Sequence, residues 1–81
     1  MYIWFVIYVG TAIGGTVGPL PYDMRECEAR AAVANSEMKR QIDAGRTDSG
    51  EEITAFARIM RFKCETHADR PANTFQTGAV L

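Results

Sequence analysis

The apolar and polar positions are distributed very unevenly along this chain. Tyr2 to Val9 reads Tyr-Ile-Trp-Phe-Val-Ile-Tyr-Val, and Gly10 to Leu20 continues without a charge until Pro19 and Pro21. A span of that length reaches the ~20 residues a helix needs to cross a bilayer core. The pattern therefore predicts a membrane-compatible helix over residues 1–21, either a signal peptide or an uncleaved anchor. Ala12 and Gly14 offer the small-residue spacing that a signal peptidase reads, although no basic residue precedes the run. Gly10, Gly14 and Gly18 stand four apart, which on a helix places them on one face where another span can approach closely. Tyr, Ile, Trp, Phe and Val are also strand formers, and Gly14-Gly15 could turn a hairpin. That alternative ranks behind the helix, because the 59 residues after Tyr22 offer little apolar surface to cover such a strand.

The body of the chain begins with a helix signal. Asp23 and Glu26 have capping-box spacing, the interior from Met24 to Ala44 is rich in helix formers, and Gly45 follows as a C-terminal stop. Met24, Cys27, Ala31, Ala34, Met38 and Ile42 repeat at three and four, forming one narrow apolar stripe. Arg46 to Gly50 is a turn by composition, and Ser49 with Glu52 repeats the cap spacing, so a second helix is expected from about Glu51. Ile53, Phe56, Ala57, Met60 and Cys64 keep helical spacing. Met60, Phe62 and Cys64 also alternate with Arg61, Lys63 and Glu65, as in a short amphipathic strand. Helix is favoured through Arg58. A strand at about 59–65 would make the fold α+β, with the residues before Pro19 as the strongest candidate for its pairing partner. Thr66 to Leu81 is polar and aperiodic and reads as a flexible tail, whose Phe75 and Ala79-Val80-Leu81 could dock on a partner or on the helical pair. The expected fold is thus mainly α: a signal or anchor over 1–21, an antiparallel α-hairpin over 22–65, and a tail over 66–81.

Cysteine usage adds a covalent constraint. Cys27 and Cys64 are the only thiols and neither belongs to a C-x-x-C pair, so the count excludes a redox motif or a four-cysteine zinc site, and His67 is the lone histidine. An even count behind an export signal reads as one disulfide. In a helical hairpin Cys27 stands ~26 Å and Cys64 ~20 Å from the turn, at ~1.5 Å per residue, which brings both to the open end. Arg25 and Arg30 follow the apolar run and would hold the body in the cytoplasm by the positive-inside rule. The cysteines point to the opposite side of the membrane.

Charge and motif content exclude several functions. Nine Lys and Arg oppose ten Asp and Glu, all at Asp23 or later and interspersed, so no field for polyanions arises and nucleic-acid binding is not expected. Arg58, Arg61 and Lys63 form a small basic patch around Phe62, offset by Glu65. His67 beside Thr66 or Asp69 does not set a catalytic geometry. Glu26 with Glu28 and Glu51 with Glu52 fall in first turns of helices, where the macrodipole favours negative charge. No phosphate loop, metal set, cofactor site or small-molecule substrate is evident, and the chain is not expected to be an enzyme.

Tyr22-Asp23-Met24, then Cys27-Glu28-Ala29-Arg30-Ala31-Ala32, Phe62-Lys63-Cys64-Glu65 and Arg70-Pro71 resemble small exported proteins of Gram-negative bacteria and their phages. In that group a signal precedes a Cys-bearing helix and a second Cys lies near the end. The resemblance implies no activity, cofactor or catalytic residue. The expectation is a periplasmic or secreted protein, or one anchored in the inner membrane through residues 1–21, that interacts with an envelope or virion component. The alternative is a membrane-assembling subunit, such as a phage lysis or accessory protein, packing through Gly10, Gly14 and Gly18.

Overall fold

A computed structural model, describing residues 1–75, shows the apolar run as a β-hairpin and not as a helix. Strand β1 (Tyr2–Val9) pairs antiparallel with β2 (Ala12–Val17) across a two-residue turn of Gly10 and Thr11. Every residue of β1 is aromatic or β-branched, types that lose side-chain freedom in a helix and pack well on a pleated surface. Gly10 has φ +65° and Thr11 a negative φ, the sign pattern of the type II′ turn whose twist suits a hairpin. Val9 faces Ala12 and Tyr8 faces Ile13, but Ile7 faces Gly15, so Gly14 is the extra residue of a bulge. The expected turn at Gly14-Gly15 is therefore displaced to Gly10. Among the described residues no helix is long and apolar enough to cross a membrane. Gly10 in the turn, Gly14 in the bulge and Gly18 beyond β2 share no helix face, so the glycine-faced span of the sequence reading does not form.

Helix α1 (Met24–Ala44) follows its sequence signals closely. The Asp23 carboxylate accepts from the Glu26 amide at 2.9 Å, and Gly45, at φ +77°, turns its N–H onto the Gln41 and Ile42 carbonyls. The second helix departs from expectation. It is the single turn α2 (Ala55–Arg58), capped by Thr54 in place of Ser49, and β3 (Met60–His67) follows. The alternation Met60, Phe62, Cys64 prevails over helical spacing because all eight residues of β3 pair antiparallel with β1. Local periodicity does not register that distant ladder. The fold is consequently α+β, with a three-stranded sheet ordered β2-β1-β3 and one long helix, in place of the α-hairpin.

The register sorts the side chains onto two faces. Phe5 and Ile7 share the helix side with Cys64 and Phe62, and the Phe5 and Phe62 rings stack at 5.5 Å. There Cys27 of α1 is bonded to Cys64 of β3, with their Cα atoms 6.0 Å apart. Trp4, Val6 and Tyr8 share the opposite side with Glu65, Lys63 and Arg61. Val6 and Cys27 are fully buried and Trp4 and Ala31 nearly so, which puts the small core on both sides of β1.

Each outer strand of the sheet is covered. The Asn35 amide donates to the Phe62 carbonyl and accepts from the Phe62 N–H, both at 2.9 Å, so α1 occupies part of the β3 edge. On β2, Ile13 donates to the Thr74 hydroxyl and accepts from the Thr74 and Phe75 amides. The expected tail is thus hydrogen-bonded to the sheet as far as Phe75, while Ala79-Val80-Leu81 lie outside the described residues.

Closing a loop between positions 27 and 64 stabilises by roughly 4 kcal/mol in the chain-entropy account. Cys64→Ser should lower the unfolding free energy by about 3–4 kcal/mol in urea titrations against the oxidised parent. An unchanged midpoint would show that the bond carries no part of the fold.

Candidate functional site

Alternate residues of a strand lie on one face, so Glu65 and His67 stand together on β3, opposite Trp4 and Tyr2 of β1. The Tyr8 hydroxyl donates to Glu65 Oε2, and His67 Nε2 lies 2.7 Å from Glu65 Oε1. Tyr8 pairs with Arg61 while Glu65 pairs with Trp4, so the Tyr8 ring reaches across the intervening Val6–Lys63 rung. That reach helps to explain why Val6 is fully buried on a face with no helix above it. The Lys63 ammonium sits 5.9 Å from the centre of the same ring. Burial pushes the Glu65 carboxyl up, but the hydrogen bonds from Tyr8 and His67 and the nearby cations outweigh it and hold the group below its ordinary range. The bond to Glu65, with burial and the carboxylate's charge, pushes the Tyr8 phenol up.

Trp4 forms the neighbouring half of this face. Its indole N–H donates to the His67 carbonyl at 3.0 Å, and the Arg70 guanidinium lies 4.9 Å from its ring centre. A Cβ on Gly18, whose φ is +148°, would stand 2.9 Å from the Trp4 ring, so only glycine permits this approach. Arg70 donates to the Thr16 and Gly18 carbonyls and to the Thr16 hydroxyl. The carboxylate, phenol and imidazole are thereby linked to one another and not aimed at open space. The cavities beside Tyr22 and Asp23, Lys39 and Arg58, Ala31 and Phe62, and Ala29 and Val33 include none of Tyr8, Glu65 or His67 in their linings. In the chain His67 adjoins Thr66 and Asp69, whereas the strand places it with Glu65 and Tyr8, a grouping signalled in the sequence only by the i, i+2 spacing of Glu65 and His67.

Tyr2, Val17 and Val33 are exposed elsewhere on the surface, and two further features face outward near α2. At the hairpin-turn end, Phe56 of α2 and Ile59 are each 48% exposed. Phe56 packs edge-on against Phe75 at 5.1 Å, and the Ile59 carbonyl accepts from the Gly10 N–H. Beside them a cleft of about 370 Å³ is lined by Asn35, Lys39, Ile42 and Asp43 of α1 with Arg58 and Arg61. The sequence's basic patch is thus divided: Arg58 and Arg61 join Lys39 at the cleft, while Lys63 leans on Tyr8. Cys27 and Cys64 are the candidate pair that the structure brings together. Among the described residues, no three His, Cys, Asp or Glu side chains gather to hold a metal ion. No family model, curated protein or solved structure matches the chain.

The shifts at Tyr8 and Glu65 fix a pH dependence. Glu65, lowered in the folded state, contributes stability above the ordinary carboxylate range that is lost as pH falls through its folded value. Tyr8, raised, contributes stability below the ordinary phenol value of 10.0 that is lost as pH rises through its folded value. Tyr8→Phe should therefore cost about 1 kcal/mol near neutrality and less in both limbs, read from urea midpoints across pH. A pH-independent difference between the two proteins would contradict the linkage.

Proposed function

We propose that this chain is a non-enzymatic, exported small protein that docks on a protein component of a bacterial envelope or virion. The Cys27–Cys64 bond belongs to an oxidising, extracytoplasmic environment. The resemblance of the Cys-bearing helix and second Cys to small exported proteins of Gram-negative bacteria and phages supports a periplasmic or secreted location. Residues 2–17 form two strands of the sheet, and this proposal counts them as part of the folded domain and not as a helical anchor over 1–21.

The observation that carries the docking role is the half-exposed pair Phe56 and Ile59. A few anchor residues, aromatic ones prominent among them, carry most of the energy of a protein interface, and they act best when a rigid scaffold holds them in place. Here the pair is held by Gly10, Phe75 and the α2 turn on a domain that is itself cross-linked. The indole, phenol and imidazole of the opposite face are engaged with one another, which leaves them to the scaffold.

Site-specific photocrosslinking in a Gram-negative host tests this reading. Benzoylphenylalanine in place of Phe56 should give one discrete adduct with an envelope or virion protein, in the extracytoplasmic fraction. The same group in place of Arg25, exposed at the far end of α1, should give none. No adduct at Phe56, or the same adduct from both positions, would contradict the docking role.

A further inference from the structure

We infer that the cleft between α1 and the α2–β3 junction receives an acidic peptide segment of the docking partner, its carboxylates on Arg58 and Arg61 and an apolar neighbour toward Ile42. The inference rests on the docking reading and adds the chemistry that the partner must present. Lys39, Arg58 and Arg61 line this cleft with the single carboxylate of Asp43, and the Arg61 guanidinium donates to the neighbouring Met60 carbonyl at 2.6 Å. Asp43 is already held by Lys39 at 2.7 Å. Neither Arg58 nor Arg61 has a carboxylate within 4.0 Å among the described residues. The cleft therefore concentrates unneutralised positive charge on a chain whose formal net charge is -1.

Guanidinium groups suit this occupant because their planar forks match a carboxylate in two parallel hydrogen bonds. The walls are set in advance. Asn35 grips both backbone groups of Phe62, the residue after Arg61, and so fixes the start of β3 against the middle of α1 where Lys39 is carried. Less ordering is then left to be done on binding. Ile42 gives one wall an apolar surface, and Phe56 and Ile59 flank Arg58 in the chain as half-exposed apolar groups. A free inorganic oxyanion uses only the charge, whereas an extended peptide alternating acidic and apolar side chains uses both. Charge complementarity together with that apolar wall favours the peptide.

The test is a titration of the full-length oxidised protein, followed by nuclear magnetic resonance of backbone amides and arginine Nε–H groups. The probe is an acetylated, amidated pentapeptide of alternating glutamate and leucine; its lysine–leucine counterpart and inorganic phosphate are compared with it. The glutamate peptide should give saturable shifts at Arg58, Arg61 and residues 39–43, weakened about tenfold by Arg58→Ala or Arg61→Ala. Asp43→Asn removes the cleft's one negative charge and should tighten binding several-fold, a gain that a misfolded variant cannot produce. Absence of saturation, equal binding of the lysine peptide, phosphate binding as tightly as the glutamate peptide, or no gain from Asp43→Asn would each overturn the inference. A Phe56 adduct without peptide binding removes the cleft's role alone; peptide binding without the adduct removes the docking reading.

Discussion

Pairing of Tyr2–Val9 along both of its edges is the interaction on which the rest of this molecule depends. As the middle strand, β1 joins the hairpin partner β2 to β3, which arrives some fifty residues later in the chain. It also divides the interior. Phe5 and Ile7 face the side stapled to α1, while Trp4 and Val6 lie beneath Tyr8, Arg70 and the residues of the outgoing chain. A strand covered on two faces needs apolar residues at successive positions, and that is the composition a membrane span also needs.

The buried core is small for the work of holding a helix and three strands together. Among the described residues, Trp4, Val6, Cys27 and Ala31 are its buried apolar members. Domains of this size commonly rely on a covalent staple. Here the staple runs from the second turn of α1 to the middle of an edge strand, and two turns later Asn35 grips the same strand through its side chain. The other edge is covered by Thr74 and Phe75, with Arg70 fastening that segment over Trp4. Covering both edges limits the lateral strand pairing that open sheets invite. Phe56, Ile59 and the cationic cleft face outward together near α2, with different chemistry.

What could be read in the sequence was what local chemistry determines. Asp23 and Gly45 marked α1 because caps act within one turn, and the structure uses both. The Cys27–Cys64 bond was legible from the even count, although the helical leader that also argued for it is a β-hairpin, and it joins a helix to a strand and not the open ends of two helices. Met60, Phe62 and Cys64 carried both periods at once; the choice between them lay in β1, which local spacing does not see. Gly14-Gly15 was the louder turn signal, but Gly10 makes the turn, and Gly14 is accommodated as a bulge. The tail's attachment was invisible because Arg70 and Thr74 bind backbone groups of distant residues and leave no periodic trace. Lys39 joins Arg58 and Arg61 only through the packing of α1 beside β3, so the cleft could not be found from the basic patch alone.

Amide hydrogen exchange on the oxidised full-length chain in aqueous buffer tests the central pairing most directly. The β1 amides that point into the two ladders should be among the slowest in the molecule, protected together with their partners in β3. Exchange across Tyr2–Val9 as fast as in an unstructured peptide, while α1 stays protected, would show that the sheet is not the frame of this protein.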